Sequence, residues 1–451
     1  MKKKLLSLLC AGVMLSSTAL CTLACGSDDN YEKGATEIVI YLQDFEEWSN
    51  NHTKKMINEF NSIMDDGIQL VPRFFQDDAY PDSLASAREN GVAPDIFMCS
   101  YGNLYGTVVS KNHAAPLNDL LKQEYFDDIV DVVKPMVTFG DKIYAYPQLT
   151  EPSAMLFYRK SILKKAGVEN PPTSWDELLD VCSKVKSKLK KGQYTLGLPI
   201  NSALGWATYG LQYNASGNLA LNDAWTECLV DTQGYRDLAG FWYDLYKGGY
   251  VPAGNVTARG YNDIIEGLCQ DKLAMTFAGS WSMAEIMNSY ADLKDDIGFV
   301  ALPTLSGNSG EVTASNGGWT YCISETSKNK EKAARVIEYL FCEDAARTAR
   351  FFQAASYSKS AVNKKVQAYL DAHVEPELAD WLKTVNEIAA ISIPEPTYAW
   401  DISLAVSSML EYMALNTNAN KADIIETQIT TCKEKIERLM TVQGANPTYK
   451  G

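Results

Sequence analysis

Apolar residues in the first hundred positions alternate between two spacings, and each change of spacing marks an element. Ile38 to Leu42 is a short apolar run of strand type; Met56, Ile57, Phe60 and Ile63 then recur at the intervals of one helix face. A second run, Ile68 to Phe75, and a third, Asp95 to Ser100 after the break at Pro94, are again strand-like. Strand, helix and strand in succession predict βαβ units on a parallel sheet, wound right-handed into a doubly wound lobe. Further on, Ser174 with Glu177 forms a capping box behind Pro171 and Pro172. Trp175, Leu178, Leu179, Cys182, Val185 and Leu189 follow at helical intervals. Strands are predicted over Thr195–Ile200, Leu273–Ala278, Ile297–Leu302 and Trp319–Ser324. They alternate with helices over Tyr235–Tyr246, Trp281–Tyr290 and Asn329–Phe341. The last hundred residues have helical spacing, broken at Ile393, Pro394, Glu395 and Pro396. The class is α/β, and 451 residues suit two or three domains.

The first 24 residues depart from this pattern. Lys2, Lys3 and Lys4 precede an apolar run from Leu5 to Leu20, then small residues, then polar Gly26 to Asn30, which is the layout of a secretory signal. Thr22, Leu23, Ala24 and Cys25 resemble the lipobox of bacterial lipoproteins, in which the cysteine is acylated and becomes the new N-terminus. The other outcome of the same layout is cleavage by an ordinary signal peptidase and release. The formal charge of −15 becomes −18 once the three signal lysines are gone. Nucleic acid is not the expected partner, because binding a phosphate backbone requires clustered Lys and Arg. No second apolar run approaches a membrane span, so the mature body is expected to be soluble outside the cell.

Chemistry-bearing motifs are sparse. His52, His113 and His373 stand apart with no metal-ligand spacing, and the chain contains no Walker loop, G-x-G-x-x-G or G-x-S-x-G elbow. Acidic doublets such as Glu46/Glu47, Asp77/Asp78 and Asp127/Asp128 are read as solvated loop residues. Cys99, Cys182, Cys228, Cys269, Cys322, Cys342 and Cys432 are far apart, without a C-x-x-C pair; most read as buried thiols, and one bridge among the seven is left open. No cofactor, metal or catalytic group is expected.

A set of ordered motifs is more specific. Ile143 to Pro147, Met155 to Lys160, Ala166-Gly167-Val168 and Pro171 to Leu178 occur in succession. Ala93-Pro94-Asp95-Ile96 precedes them. Lys272 to Met275 leading to Gly279-Ser280-Trp281, Leu302-Pro303 before Gly317-Gly318-Trp319, and Ser327 to Ala334 come after. In this order they resemble the family 1 extracellular solute-binding proteins, the sugar receptors of ABC importers. The resemblance implies a two-lobed periplasmic-binding-protein-like (type II) fold with the ligand between the lobes. By analogy with maltodextrin-binding proteins, residues 1–24 are a signal, and 25–35 the lipidated cysteine and a linker. Lobe one is then 36–147 plus 310–355, and lobe two 148–309 plus 356–451. Hinges are expected near Pro147–Ser153, Thr304–Thr313 and Ala354–Lys359. The implied function is non-enzymatic capture of a carbohydrate by a monomeric receptor, tethered through a lipid on Cys25, and its delivery to an ABC permease.

Sugars present apolar C–H faces and rims of hydroxyls, so the candidate ligand residues are flat rings and planar polar groups. Trp281 matches the family's Gly-x-Trp turn, and Trp319 follows two glycines. Tyr398 and Trp400 follow the proline break in the position of a C-terminal stacking aromatic. Trp206 lies in a polar loop after a strand. Gln43 and Asp44 end the first strand, with Trp48 just beyond; Asp77 follows the second strand, and Ser100 and Tyr101 the third, all at the carboxyl edge where open α/β sheets collect ligands. Asp95 is read as a brace, and Glu151 as touching ligand or hinge. Left open are a polyamine or phosphate ester as ligand, a secreted carbohydrate hydrolase, and a sensory receptor.

Overall fold

The structure is a computed structural model describing residues 34–45, 47–63, 67–76, 79–199, 202–252, 261–308, 310–447 and 449. Two sheets organise it. The first has seven strands in the order Ser360–Ala361, Tyr146–Pro152, Ser315–Ile323, Ile96–Ser100, Thr36–Asp44, Ile68–Gln76, with Ile393–Pro394 beside the start of Ser315–Ile323. Thr36–Asp44 pairs in parallel with Ile68–Gln76 over nine positions and with Ile96–Ser100, as the βαβ spacing predicts. Ser315–Ile323, however, runs antiparallel to both of its long neighbours, so the complete sheet is mixed rather than parallel. That strand returns from the second sheet, and arrives from the opposite end. The helix Glu47–Ser62 buries Met56, Ile57 and Phe60 on the first sheet; Ile63 lies beyond the helix end and is 59% exposed, outside the stripe its spacing suggested.

The second sheet has the order Ile297–Val300, Met155–Arg159, Leu273–Ala278, Tyr194–Gly197. Every residue of Leu273–Ala278 is buried, as expected of a strand covered on both faces. Arg159 is buried at the end of its strand, where its guanidinium donates to Asp296 at 2.7 Å and Asp271 at 2.6 Å, and so keeps its charge compensated. Below this sheet the ring of Trp175 stacks on Phe241 at 4.5 Å. The helices Gln233–Lys247, Trp400–Leu415 and Lys421–Gln443 close the same core. All seven cysteines from Cys99 to Cys432 are free thiols, five of them buried. Among the described residues, no helix is long and apolar enough to cross a membrane.

The chain passes between the sheets three times. Between Pro152 and Met155 only Ser153 and Ala154 intervene. The return runs from Val300 to Ser315, and the last passage leaves Pro394 and reaches the helix at Trp400. Residues 356–394, assigned to the second lobe by analogy, thus contribute Ser360–Ala361 and Ile393–Pro394 to the first sheet. Their helix Ala379–Ala390 touches both lobes, with Leu382 on one side and Val385 and Ile388 on the other.

The capping box forms as the spacing predicts. Ser174 caps the helix Trp175–Lys186 by accepting the Glu177 N–H at 3.1 Å, while Glu177 accepts the Thr173 N–H at 2.8 Å. Replacing Ser174 by Ala is expected to cost about 1 kcal/mol, read as a lower urea midpoint at unchanged slope.

Candidate functional site

At the start of Ser315–Ile323 two hydroxyls bind the first two passages together. Ser153 donates its N–H to the Ser315 carbonyl at 2.8 Å; Ser315 donates its own N–H to Ser153 Oγ at 3.0 Å, and the two side-chain oxygens lie 2.9 Å apart. Beside them Glu151 forms a buried ion pair with Lys359. The third passage runs alongside: Ile393 donates its N–H to Ala314 at 3.2 Å and Glu395 to Asn316 at 3.3 Å.

Glu395 is the unusual group here. Its carboxyl is buried against the backbone of Gly102 and Gly317, both in the first lobe. Glycine is required for this approach: a Cβ on Gly102 would lie 2.5 Å from Glu395 Oε1, and one on Gly317 would lie 2.2 Å from Oε2. Gly318 adopts φ +141°, a conformation open to glycine, with the Leu149 carbonyl 2.6 Å from where its Cβ would be. Burial pushes the Glu395 carboxyl up to about 8; the polar hydrogens of Trp206, Gly318 and Gly102 pull the other way, and the charge of Glu151 adds to the rise.

Trp206 also faces Trp281, with ring centroids 5.3 Å apart and planes tilted by 32°. The Gly-Ser-Trp turn explains the pose, because the Trp281 ring folds back over Gly279, where a Cβ would be 1.8 Å from it. The Ser280 and Ser282 hydroxyls on either side of Trp281, together with Asn316 Oδ1, Ser358 Oγ and Ser360 Oγ, are buried oxygens to which the described protein offers no hydrogen-bond partner. The lobes meet again at Tyr105, which packs against both cores and lies 5.6 Å from the Trp225 ring. Trp225 has φ +58°, a strained backbone for a bulky residue. Two aromatic planes, a buried carboxyl, a buried ion pair and oxygens lacking partners thus converge between two α/β lobes, an arrangement suited to gripping a polar, ring-shaped solute.

Comparison with known proteins agrees with this architecture. A model of the bacterial extracellular solute-binding protein family matches residues 50–347. The chain belongs to that family. A Brucella abortus relative, named as a candidate binding protein, is 27% identical over 237 residues, 52% of this chain and 56% of the relative. The chain therefore matches little more than half the length of that relative. Among solved structures, an ABC transporter solute-binding protein from Thermotoga lettingae bound to α-D-tagatose shares 22% identity at TM-score 0.73, covering 89% of this chain and all of that one. UgpB from Mycobacterium tuberculosis, in complex with glycerophosphocholine, shares 18% at TM-score 0.73, covering 91% and 100%. The two-lobed fold read from the motifs is the fold of these structures.

In this solute-binding protein Trp206, Trp281 and Glu151 come together at the junction, through Glu395 and Lys359. Trp319 is half-buried on the neighbouring stretch of strand, its ring edge-on to Phe45 at 4.9 Å. Gln43 is buried at the end of the first strand; Asp44 accepts the amides of Asn50 and Gln76, the latter at 2.5 Å. Ser100 Oγ accepts from Asn103 at 3.0 Å. Tyr101 is fully buried and donates its hydroxyl to the Leu149 carbonyl at 3.1 Å, so it braces two strands instead of presenting a ring. Tyr398 likewise belongs to the second core, edge-on to Tyr209, because the chain turns inward before its helix; Trp400, the first residue of that helix, is half-buried. Asp95 is a brace, accepting the Val39 N–H at 3.0 Å. The Trp48 side chain, Asp77 and Cys25 lie outside the described residues.

Sequence reasoning missed Glu395 and Lys359. The only signal for Glu395 was one carboxylate between two prolines in an apolar break; Lys359 entered only as the end of the expected hinge Ala354–Lys359. Gly102→Ala is expected to displace the Glu395 carboxyl and free the Trp206 indole. The cost should be about 1–3 kcal/mol of stability in a denaturant melt, with a red-shifted tryptophan emission.

Proposed function

We propose that this protein is the receptor of an ABC importer, closing its two lobes on a carbohydrate, most simply an oligosaccharide, and delivering it to the permease as a monomer. A lipid on Cys25 would hold it at the outer face of the cytoplasmic membrane. The observation carrying this reading is the pairing of Trp206 with Trp281 beside buried Ser, Asn and Glu oxygens at the lobe junction. Indole faces suit the apolar C–H faces of a sugar ring, and its hydroxyls both donate to and accept from such oxygens. Contacts that exist only when both lobes are near the ligand shift the population toward closure. The Thermotoga lettingae relative holding a sugar supports the ligand class.

A phosphate ester, as bound by the Mycobacterium tuberculosis relative, suits this junction less well. Glu151 and Glu395 place two carboxyls there against one lysine that is already paired. Nothing in the arrangement supplies a positioned nucleophile with a base, and the family is one of binding proteins.

Thermal-shift measurements on residues 26–451 test the reading, using mono- and oligosaccharides, polyamines and phosphate esters. A saccharide is expected to raise the melting temperature, and Trp281→Ala to weaken its binding at least ~10-fold through loss of ring stacking. Stabilisation by polyamines or phosphate esters alone would replace the ligand class. Product released from a glycan would replace the receptor by a hydrolase.

A further inference from the structure

The second lobe carries a polar cavity that solute capture between the lobes leaves unused. We propose that it binds a phosphoryl group, free or carried on a larger molecule, at a site separate from the junction. This goes beyond the receptor reading and does not rest on it.

The cavity, about 290 Å3 in volume, lies where two helix ends meet the first residues of an edge strand. Its walls come from Lys186, the last residue of Trp175–Lys186, from Gly249 just past Gln233–Lys247, and from Tyr194 and Thr195 of Tyr194–Gly197. Lys186 holds the two helix ends together by donating its ammonium to the Gly248 carbonyl at 2.7 Å. Between helix and strand the chain turns at Lys190–Gln193: Gln193 donates its N–H to the Lys190 carbonyl at 3.1 Å, and Gly192 has φ +87°. The Gln193 side chain fixes this turn, accepting the Lys190 N–H at 2.8 Å and donating to the Asp271 carbonyl at 2.7 Å. The successive N–H groups of Lys191 and Gly192 have no partner among the described residues. Trp206 and Trp281 follow the opposite ends of Tyr194–Gly197 and of its parallel neighbour Leu273–Ala278, so the cavity lies a strand's length from the junction.

Charge and hydrogen-bonding capacity name the ligand. Residues 184–191 hold five lysines and no acid, in a chain of formal charge −15. Lysines in the last turn of a helix are accounted for by the helix dipole, and Lys184 and Lys186 have partners in Asp180 and the Gly248 carbonyl. Lys190 and Lys191 lie beyond the helix, line the cavity with Lys186, and have no ion-pair partner among the described residues; no acid lines it. The lining also includes Thr195, which is 1% exposed and whose hydroxyl has no hydrogen-bond partner among the described residues. Exposed lysines alone make a solvated surface. A buried hydroxyl beside them is satisfied by a group that these residues do not supply. Ammonium groups, two adjacent backbone N–H groups and a hydroxyl suit a tetrahedral, doubly charged phosphoryl group. A planar carboxylate is matched better by the fork of an arginine, and the lining has none.

Inorganic phosphate and lipid vesicles are the probes. In the 15N-labelled chain 26–451, inorganic phosphate should shift the Lys191 and Gly192 amide resonances saturably, and acetate at equal ionic strength should not. Lys190→Gln combined with Lys191→Gln, both at exposed positions, should weaken phosphate binding at least ~10-fold, because each lysine near a phosphate surface contributes about fivefold. Lys55→Gln combined with Lys111→Gln, exposed lysines of the first lobe with the same change of charge, should leave it unaltered. Co-sedimentation with vesicles of phosphatidylglycerol, compared with phosphatidylcholine, separates the sources. Sedimentation abolished by the Lys190/Lys191 double variant assigns the phosphoryl group to a lipid headgroup; phosphate binding without sedimentation assigns it to a soluble phosphate. Absence of both, an equal response to acetate, or binding retained by the double variant would overturn the proposal. Stabilisation by a phosphate ester that survives Trp281→Ala but not the double variant belongs to this cavity, so the site and the receptor reading fail separately.

Discussion

Two neighbouring antiparallel strands that leave one sheet for the other set the geometry of everything at the junction. Tyr146–Pro152 and Ser315–Ile323 are hydrogen-bonded along their length, and Ser153 and Ser315 continue the pairing through backbone and hydroxyl where the sheet ends. A strand has a side-chain period of two, so this register decides which residues face the junction. It aligns Glu151 with Gly317 and Thr150 with Gly318, putting a carboxylate and two residues without side chains next to each other. Because Ile393–Pro394 pairs with Ser315 and Asn316, the third passage is set by the same register and brings Glu395 onto those glycines. A slip of one residue would replace the glycine cradle with side chains.

That arrangement does not serve stability. Burying a carboxylate costs several kcal/mol unless partners compensate, and a well-packed apolar group of equal size would usually do better. Here one carboxylate is matched by Lys359 and another is packed against glycine backbone, while nearby hydroxyls have no partner among the described residues. Polar groups left in this state at the boundary of two independent cores are the mark of a surface shaped for something other than folding. The cores themselves are conventional: aliphatic strands, stacked aromatics such as Trp175 on Phe241, and no disulfide between the described cysteines.

Much of this was visible in the chain before folding. The first three strands, the helix behind Ser174 and the buried strand Leu273–Ala278 have local causes: a spacing, a cap, a continuous apolar run. The crossing strands Tyr146–Pro152 and Met155–Arg159 were recognisable only as family motifs, because they are buried on both faces and so show no alternation. Of the candidate aromatics, Trp206 and Trp281 meet, whereas Tyr101 and Tyr398 are spent on the cores. Spacing shows that a residue faces inward, but a core and a cleft both lie inward.

The sequence by itself thus determined the α/β class, the order of the elements and, through its ordered motifs, the family. Tertiary structure alone decided which inward-facing groups line the junction. Glu151, Lys359 and Glu395 are separated by up to 244 positions, and no local pattern links them. Glu151 and Glu395 meet because the passages share one strand register, and Lys359 reaches Glu151 from beside Ser360–Ala361, which pairs with Tyr146–Pro152. Their chemistry, a buried ion pair beside a carboxyl packed on glycine backbone, exists only once folding has excluded water from them.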